Sequence, residues 1–145
     1  MAIKKLIVHH SASPRATTTK LDIDKWHRQR GFSQIGYHKV VEGSGNIVSG
    51  RPENVQGAHA KGANHDSLGV CVVGNFENES PTAAQINSLV KVLVEWCKKY
   101  NLKPTDVYGH TNTPGNVTKT SCPGKNLYAQ LPLIKQKVQL GLNTP

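Results

Sequence analysis

Leu68-Gly-Val-Cys-Val-Val73, closed by Gly74, is a six-residue run without a charged side chain. A nearly continuous apolar run of this length, ended by glycine, reads as a strand buried on both faces at the centre of a sheet. Upstream of it, Tyr37 to Val41 and Asn46 to Ser49 read as two strands joined through Gly43-Ser44-Gly45, a hairpin signal. Downstream, Thr82 and Gln85 have capping-box spacing behind Pro81. Ile86, Leu89, Val90, Leu93, Val94 and Cys97 follow at helical intervals, so a long helix with one apolar stripe is expected, ending near Tyr100-Asn101. Lys4 to His10 reads as a short strand ended by Ser11-Ala-Ser-Pro14, and Ile23 to Arg30 as a short helix stopped by Gly31. Asp106 to Tyr108 is a short strand that delivers His110 to its C-terminal end, and Leu127 to Leu140 a last amphipathic helix. Strands and helices are mixed along the chain, which predicts an α/β fold: a central mixed β-sheet flanked by helices.

No linker, repeat or low-complexity block interrupts the 145 residues, so residues 1–145 are expected to form one domain with a real core. The 37% hydrophobic and 19% charged content suits a globular chain rather than a disordered one. No apolar run approaches the length of a bilayer span, so membrane insertion is not expected. Two lysines, Lys4 and Lys5, precede only three apolar residues, far short of a secretory signal core. A cytoplasmic chain without a signal peptide is therefore expected. The net charge of +9 calls for an anionic partner. The basic residues are scattered, with no arginine-rich run and no aromatic interleaving, which argues against direct nucleic-acid binding. A polyanionic bacterial envelope fits the same charge. A monomer is the expected state.

Three cysteines and seven histidines carry the chemistry. Cys71 lies in the central strand and Cys97 on the apolar helix stripe, where free cysteine packs as a small hydrophobe. Cys122 differs, because it sits in the loop Ser121-Cys-Pro-Gly124. Two imidazoles and a thiolate brought together from opposite ends of a small domain are a typical set for a catalytic zinc, which takes three protein ligands and leaves one position open. His110 and Cys122 supply two of them. His9 and His10 are adjacent on a strand, so they point to opposite faces, and periodicity leaves open which one completes the set. A cysteine-nucleophile hydrolase is the competing reading of Cys122 with His110. His27, His38 and His65 read as packed, hydrogen-bonded or loop-anchoring residues. For His59, contact with a substrate stands beside that reading.

Several segments occur in an ordered set: Val8-His9-His10-Ser-Ala12, Trp26-His-Arg-Gln-Arg-Gly31, Ile35-Gly-Tyr-His38, Gly57 to Gly74, Gly109-His110 and Ser121-Cys-Pro-Gly124. Together they cover residues 6 to 127 and resemble the zinc-dependent N-acetylmuramoyl-L-alanine amidases, a group that includes short phage lysozymes of amidase type and peptidoglycan recognition proteins. The resemblance implies that family's fold, one Zn2+ per chain, and His9, His110 and Cys122 as its ligands, choosing His9 over His10. It places Tyr37 on the family's catalytic tyrosine. Where the short phage enzymes carry a functional lysine two residues before the zinc cysteine, this chain has Thr120, as many eukaryotic recognition-type amidases do; Lys119 is the alternative. The implied reaction is hydrolysis of the amide between N-acetylmuramic acid and L-alanine in bacterial peptidoglycan. His59, Lys61, Asn64 and Arg51 are the substrate-contact candidates, with Trp26 bracing the wall of the groove. The implied role is that of a phage endolysin, held in the host cytoplasm until the membrane fails. Two further roles are a peptidoglycan-binding module without hydrolysis, and a regulator of a phage RNA polymerase.

Overall fold

The computed structural model describes residues 2–144. Five strands form one sheet in the order β3-β2-β4-β1-β5. They are β1 (Lys5–His10), β2 (Lys39–Val41), β3 (Ile47–Ser49), β4 (Ser67–Val72) and β5 (Val107–Gly109). β4 runs parallel to both β1 and β2, and β5 runs parallel to β1. Only the β2–β3 hairpin is antiparallel, at one edge. The mixed sheet and single domain match the α/β expectation, and every residue of the β4 run is buried, as its unbroken apolar character requires.

Alternation along the strands sends two sets of side chains to two layers. Leu6 and Val8 of β1, Leu68, Val70 and Val72 of β4, and Val107 of β5 face α2 (Ala83–Tyr100) and α3 (Lys125–Leu142) in the main core. On the opposite face, Val40 and Cys71 pack with Ile23 of α1 (Lys20–Gln29), Ile35, Val73 and Tyr37. Ile7 packs there against Ala60 and Ala63 of the long β3–β4 connection. Cys97, like Cys71, is a free buried thiol.

The helix ends follow local chemistry. α2 begins at the Thr82–Gln85 capping box and stops at Asn101, whose φ of 56° and ψ of 50° end it in the left-handed region. Its buried face is wider than the expected stripe: Val92 and Trp96 join it, while Val90 and Val94 are only partly buried. α1 starts three residues before Ile23, because the Thr19 side chain accepts from Asp22 N and the Asp22 carboxylate accepts from Thr19 N, forming a second capping box. α3 runs two residues further than expected at each end and carries Pro132 inside it.

β2 starts at Lys39 rather than Tyr37. The β4 donor that would continue the ladder, Gly69 N–H, goes to His38 Nδ1 (3.1 Å) instead of to a backbone carbonyl. β5 is one residue later than expected, since Asp106 belongs to a 3₁₀ turn and its carboxylate accepts from Lys103 N. Among the described residues, no helix is long and apolar enough to cross a membrane.

Candidate metal centre and active-site cleft

β1 and β5 are parallel neighbours, so their C-terminal ends lie at the same edge of the sheet. His9 stands at the end of one and His110 just past the other, their ring centroids 4.6 Å apart. Cys122 is returned to this edge by a loop whose backbone is tied to His110's neighbour, Thr111 N donating to Cys122 O at 2.8 Å. The Cys122 sulfur lies 3.6 Å from His9 Nδ1, and one ligand atom from each of the three residues falls within 4.8 Å of the others. The sequence left His9 and His10 open on periodicity; the structure puts His9 in the cluster. The His10 ring lies on Phe76, its Nδ1 accepting from Phe76 N, while its backbone N–H donates to the Cys122 sulfur at 3.4 Å.

The donor set fits a metal ion. Two donors of a tetrahedral zinc, with bonds of about 2.0 and 2.3 Å, lie about 3.6 Å apart, as His9 Nδ1 and Cys122 Sγ do. Burial, followed by the proximity of His59 and His110, holds His9 well below the usual histidine pKa, and burial lowers His110. Both rings are therefore neutral and offer lone pairs. Burial pushes the Cys122 thiol up to about 12 against the opposing His10 N–H. A nucleophilic cysteine needs the reverse, a depressed pKa beside a protonated partner. A buried thiol flanked by two neutral imidazoles suits a metal ligand better than an acyl-enzyme nucleophile.

The cluster forms the floor of a cleft of about 590 Å³. Tyr37, His59, Lys61, Asn64 and Thr120, all expected at the site, line it. The Tyr37 ring packs 5.0 Å from His9 and 5.3 Å from His27, between centroids. Burial, then the neighbouring Cys71 and Cys122 sulfurs, holds its hydroxyl well above pKa 10, so it is a donor at neutral pH. Thr120 Oγ1 accepts from Cys122 N (3.1 Å), which leaves its own O–H to donate. Asn64 Oδ1 accepts from His59 N and Ala60 N, so this side chain shapes the loop as well as lining the cleft. His59 lies in the β3–β4 loop, as expected, and its Nδ1 sits 2.8 Å from His9 Nε2, against a metal-ligand candidate.

Three expected residues lie elsewhere. Arg51 is outside the lining, its guanidinium donating to the carbonyls of Ile35 (3.0 Å), Gln56 (2.8 Å) and Gln34 (3.3 Å). It braces the segment that carries Tyr37 and has little left for a substrate. Lys119 is also absent from the cleft wall, whereas Thr120 is part of it. Trp26 stands 41% exposed on α1 and does not reach the cleft.

Sequence reasoning missed His27, Arg30, Phe32 and Thr118 as lining residues. His27 Nδ1 accepts from Gly36 N at 2.8 Å, and burial lowers its pKa to about 4. Its place in the short α1, one turn before the Gly31 stop, was the available signal. Arg30 caps α1 with its guanidinium carbon 5.4 Å from the Phe32 ring centroid. Among the described residues, no carboxylate lines the cleft.

Fold and site together define a class: a mixed-sheet α/β domain with a two-histidine, one-cysteine cluster, able to hold a metal ion, at the C-terminal ends of its parallel strands. The family model described as N-acetylmuramoyl-L-alanine amidase matches residues 1–125, and the chain belongs to that family. It is similar to the endolysin of Escherichia phage T7, 38% identical in an alignment 101 residues long that covers 66% of this chain and 67% of the endolysin. It is also similar to peptidoglycan-recognition protein SC2 of Drosophila melanogaster, 32% identical in an alignment 133 residues long that covers 86% of this chain and 70% of that protein. Among solved structures, the N-acetylmuramoyl-L-alanine amidase LysC from Clostridium intestinale superposes with a TM-score of 0.81 at 35% identity, covering 99% of this chain and 87% of that one.

Proposed function

We propose that the protein is a zinc-dependent N-acetylmuramoyl-L-alanine amidase that cuts the lactyl–L-alanine amide of bacterial peptidoglycan, serving as a phage endolysin. The observation that carries this reading is the meeting of His9, His110 and Cys122 at the floor of an open cleft in a member of this family. Zinc held by these three residues would supply an activated water and polarise the scissile carbonyl.

The chain's own groups do the rest. The protonated Tyr37 hydroxyl orients the attacking water and donates toward the departing L-alanine amine, a general-acid role. Thr120 O–H faces the cleft and donates to the carbonyl oxygen as negative charge builds there. Lys61 and Arg30, on a cleft free of carboxylates, attract and align the carboxylates of the stem peptide, and Phe32 offers an apolar wall.

The deciding experiment is release of new L-alanine amino termini from purified peptidoglycan, with and without a chelator, then with zinc restored. Chelator-sensitive release that zinc restores supports the amidase; no release despite one bound zinc per chain overturns it. Similarity to a peptidoglycan-recognition protein over 86% of the chain favours recognition without hydrolysis as the second reading. Sedimentation with insoluble peptidoglycan but no release would select it.

A further inference from the structure

We infer that Asn116, His59 and Ser67 are positioning residues that lock both imidazoles of the cluster in the tautomer whose Nδ1 carries the lone pair. The inference rests on the metal reading above. A neutral imidazole has one donor and one acceptor nitrogen, so whichever hydrogen bond one nitrogen makes decides what the other can do.

For His110 the fixing group is Asn116. Its side-chain amide pairs with the backbone of Thr118: Nδ2 donates to Thr118 O at 2.7 Å, and Thr118 N donates to Oδ1 at 3.3 Å. Turning the amide over would set donor against donor and acceptor against acceptor, so Oδ1 is the atom facing His110 Nε2 at 3.1 Å. An oxygen there accepts, His110 Nε2 carries the proton, and Nδ1 is left bare. The loop that presents Asn116 is itself stitched to the opposite wall, Val117 N donating to Lys61 O at 2.9 Å.

For His9 the fixing group is two residues deep. The fully buried Ser67 hydroxyl has one proton, and it goes to Ala63 O at 2.7 Å. Ser67 Oγ can then only accept from its other neighbour, His59 Nε2, at 3.4 Å. With the His59 proton on Nε2, its Nδ1 accepts from His9 Nε2 at 2.8 Å. His9 Nδ1 is left bare, 3.6 Å from the Cys122 sulfur. Two unrelated partner sets, one from each wall, thus reach the same result on both rings. This gives His59 a task at the back of the site, away from the substrate.

The test has two arms. Long-range 15N–1H correlation of the histidine rings in metal-free protein at neutral pH should show the Nε2–H tautomer for His9 and His110; Nδ1–H as the main form of either overturns the inference. Zinc affinity is then measured by competition with a chromogenic chelator for wild type, Asn116→Ala, Asn116→Asp and Ser67→Ala. Outer-shell partners of ligating histidines are worth about 10–100-fold in affinity, and a loss of that size is expected for the two alanine variants. Asn116→Asp keeps the acceptor and should recover most of it. Melting of the metal-free variants separates a weakened site from a weakened fold. Alanine variants that melt as wild type does and bind zinc within twofold of it overturn the inference. A wild-type chain that binds no zinc would instead defeat the metal reading, while the tautomer arm still tests the locks.

Discussion

His59 stands over Gly69 so closely that a Cβ at position 69 would come within 2.6 Å of its Nδ1. The glycine is set in β4 among buried apolar residues, and its missing side chain is the space the imidazole fills. Gly69→Ala should push His59 away from His9, lowering stability by about 1–3 kcal/mol, as overpacking does, and weakening metal binding. Denaturant melts with and without zinc measure both effects. An unchanged zinc-induced stabilisation in the variant would mean that the contact is mere packing.

Cys122→Ser should lose metal and activity while staying largely folded. The serine hydroxyl can still accept from His10 N, which the sulfur now engages at 3.4 Å, so the loop keeps its anchor. Metal stoichiometry together with a melting curve tests this. Full zinc content in the variant would remove Cys122 from the ligand set.

Tyr37→Phe and Thr120→Val separate the two donors from the neighbouring lysine. Removing a general acid costs about 10²–10⁴-fold in rate, and removing an oxyanion donor costs about 10²–10³-fold. Both variants should retain zinc. Lys119→Ala, which changes a side chain outside the cleft wall, should stay within about twofold of wild type, since nothing of the donor arrangement is removed. Turnover numbers for the three variants decide the assignment, and a crippled Lys119→Ala would reverse it.

Metal-free protein should lose stability in mild acid. Burial lowers His27 to about 4 and His59 to about 3, against about 6.5 in an unfolded chain. Between those values the unfolded state binds more protons than the folded one, so stability rises with pH. The contribution is complete above pH 6.5 and falls away as pH drops through the window toward 4 and 3. At pH 5 the loss should be about 2 kcal/mol from His59 and, after allowance for solvent screening, about 1 kcal/mol from His27. Urea midpoints at pH 7.5 and pH 5 read it directly, and equal midpoints would contradict the buried neutral rings.

The apolar run of β4 and the capping box of α2 were legible because each is a local pattern with a physical cause, burial on both faces in one case and orphan N–H groups in the other. The three candidate metal ligands were legible as residue types, but alternation says only that His9 and His10 part ways, so the choice of His9 came from the family resemblance rather than from strand geometry. What the sequence hid depends on loop closure. Arg51 looked available until three carbonyls took its guanidinium. Asn116 gave no signal at all, because its role exists only once the loop after β5 folds back on His110. The shortened β2 was hidden for a related reason: a histidine ring, His38, takes a hydrogen bond that belongs by rule to the backbone.

The pairing of β1 with β4 and β5 has a consequence for biosynthesis. The strand that bears His9 is the first to be translated, yet both of its neighbours come much later, at residues 67–72 and 107–109, and Cys122 later still. A ribosome must therefore reach residue 72 of 145 before this strand has its first partner, and residue 109 before it has its second. Partial products that end between His110 and Cys122 carry both histidines of the cluster but lack its sulfur.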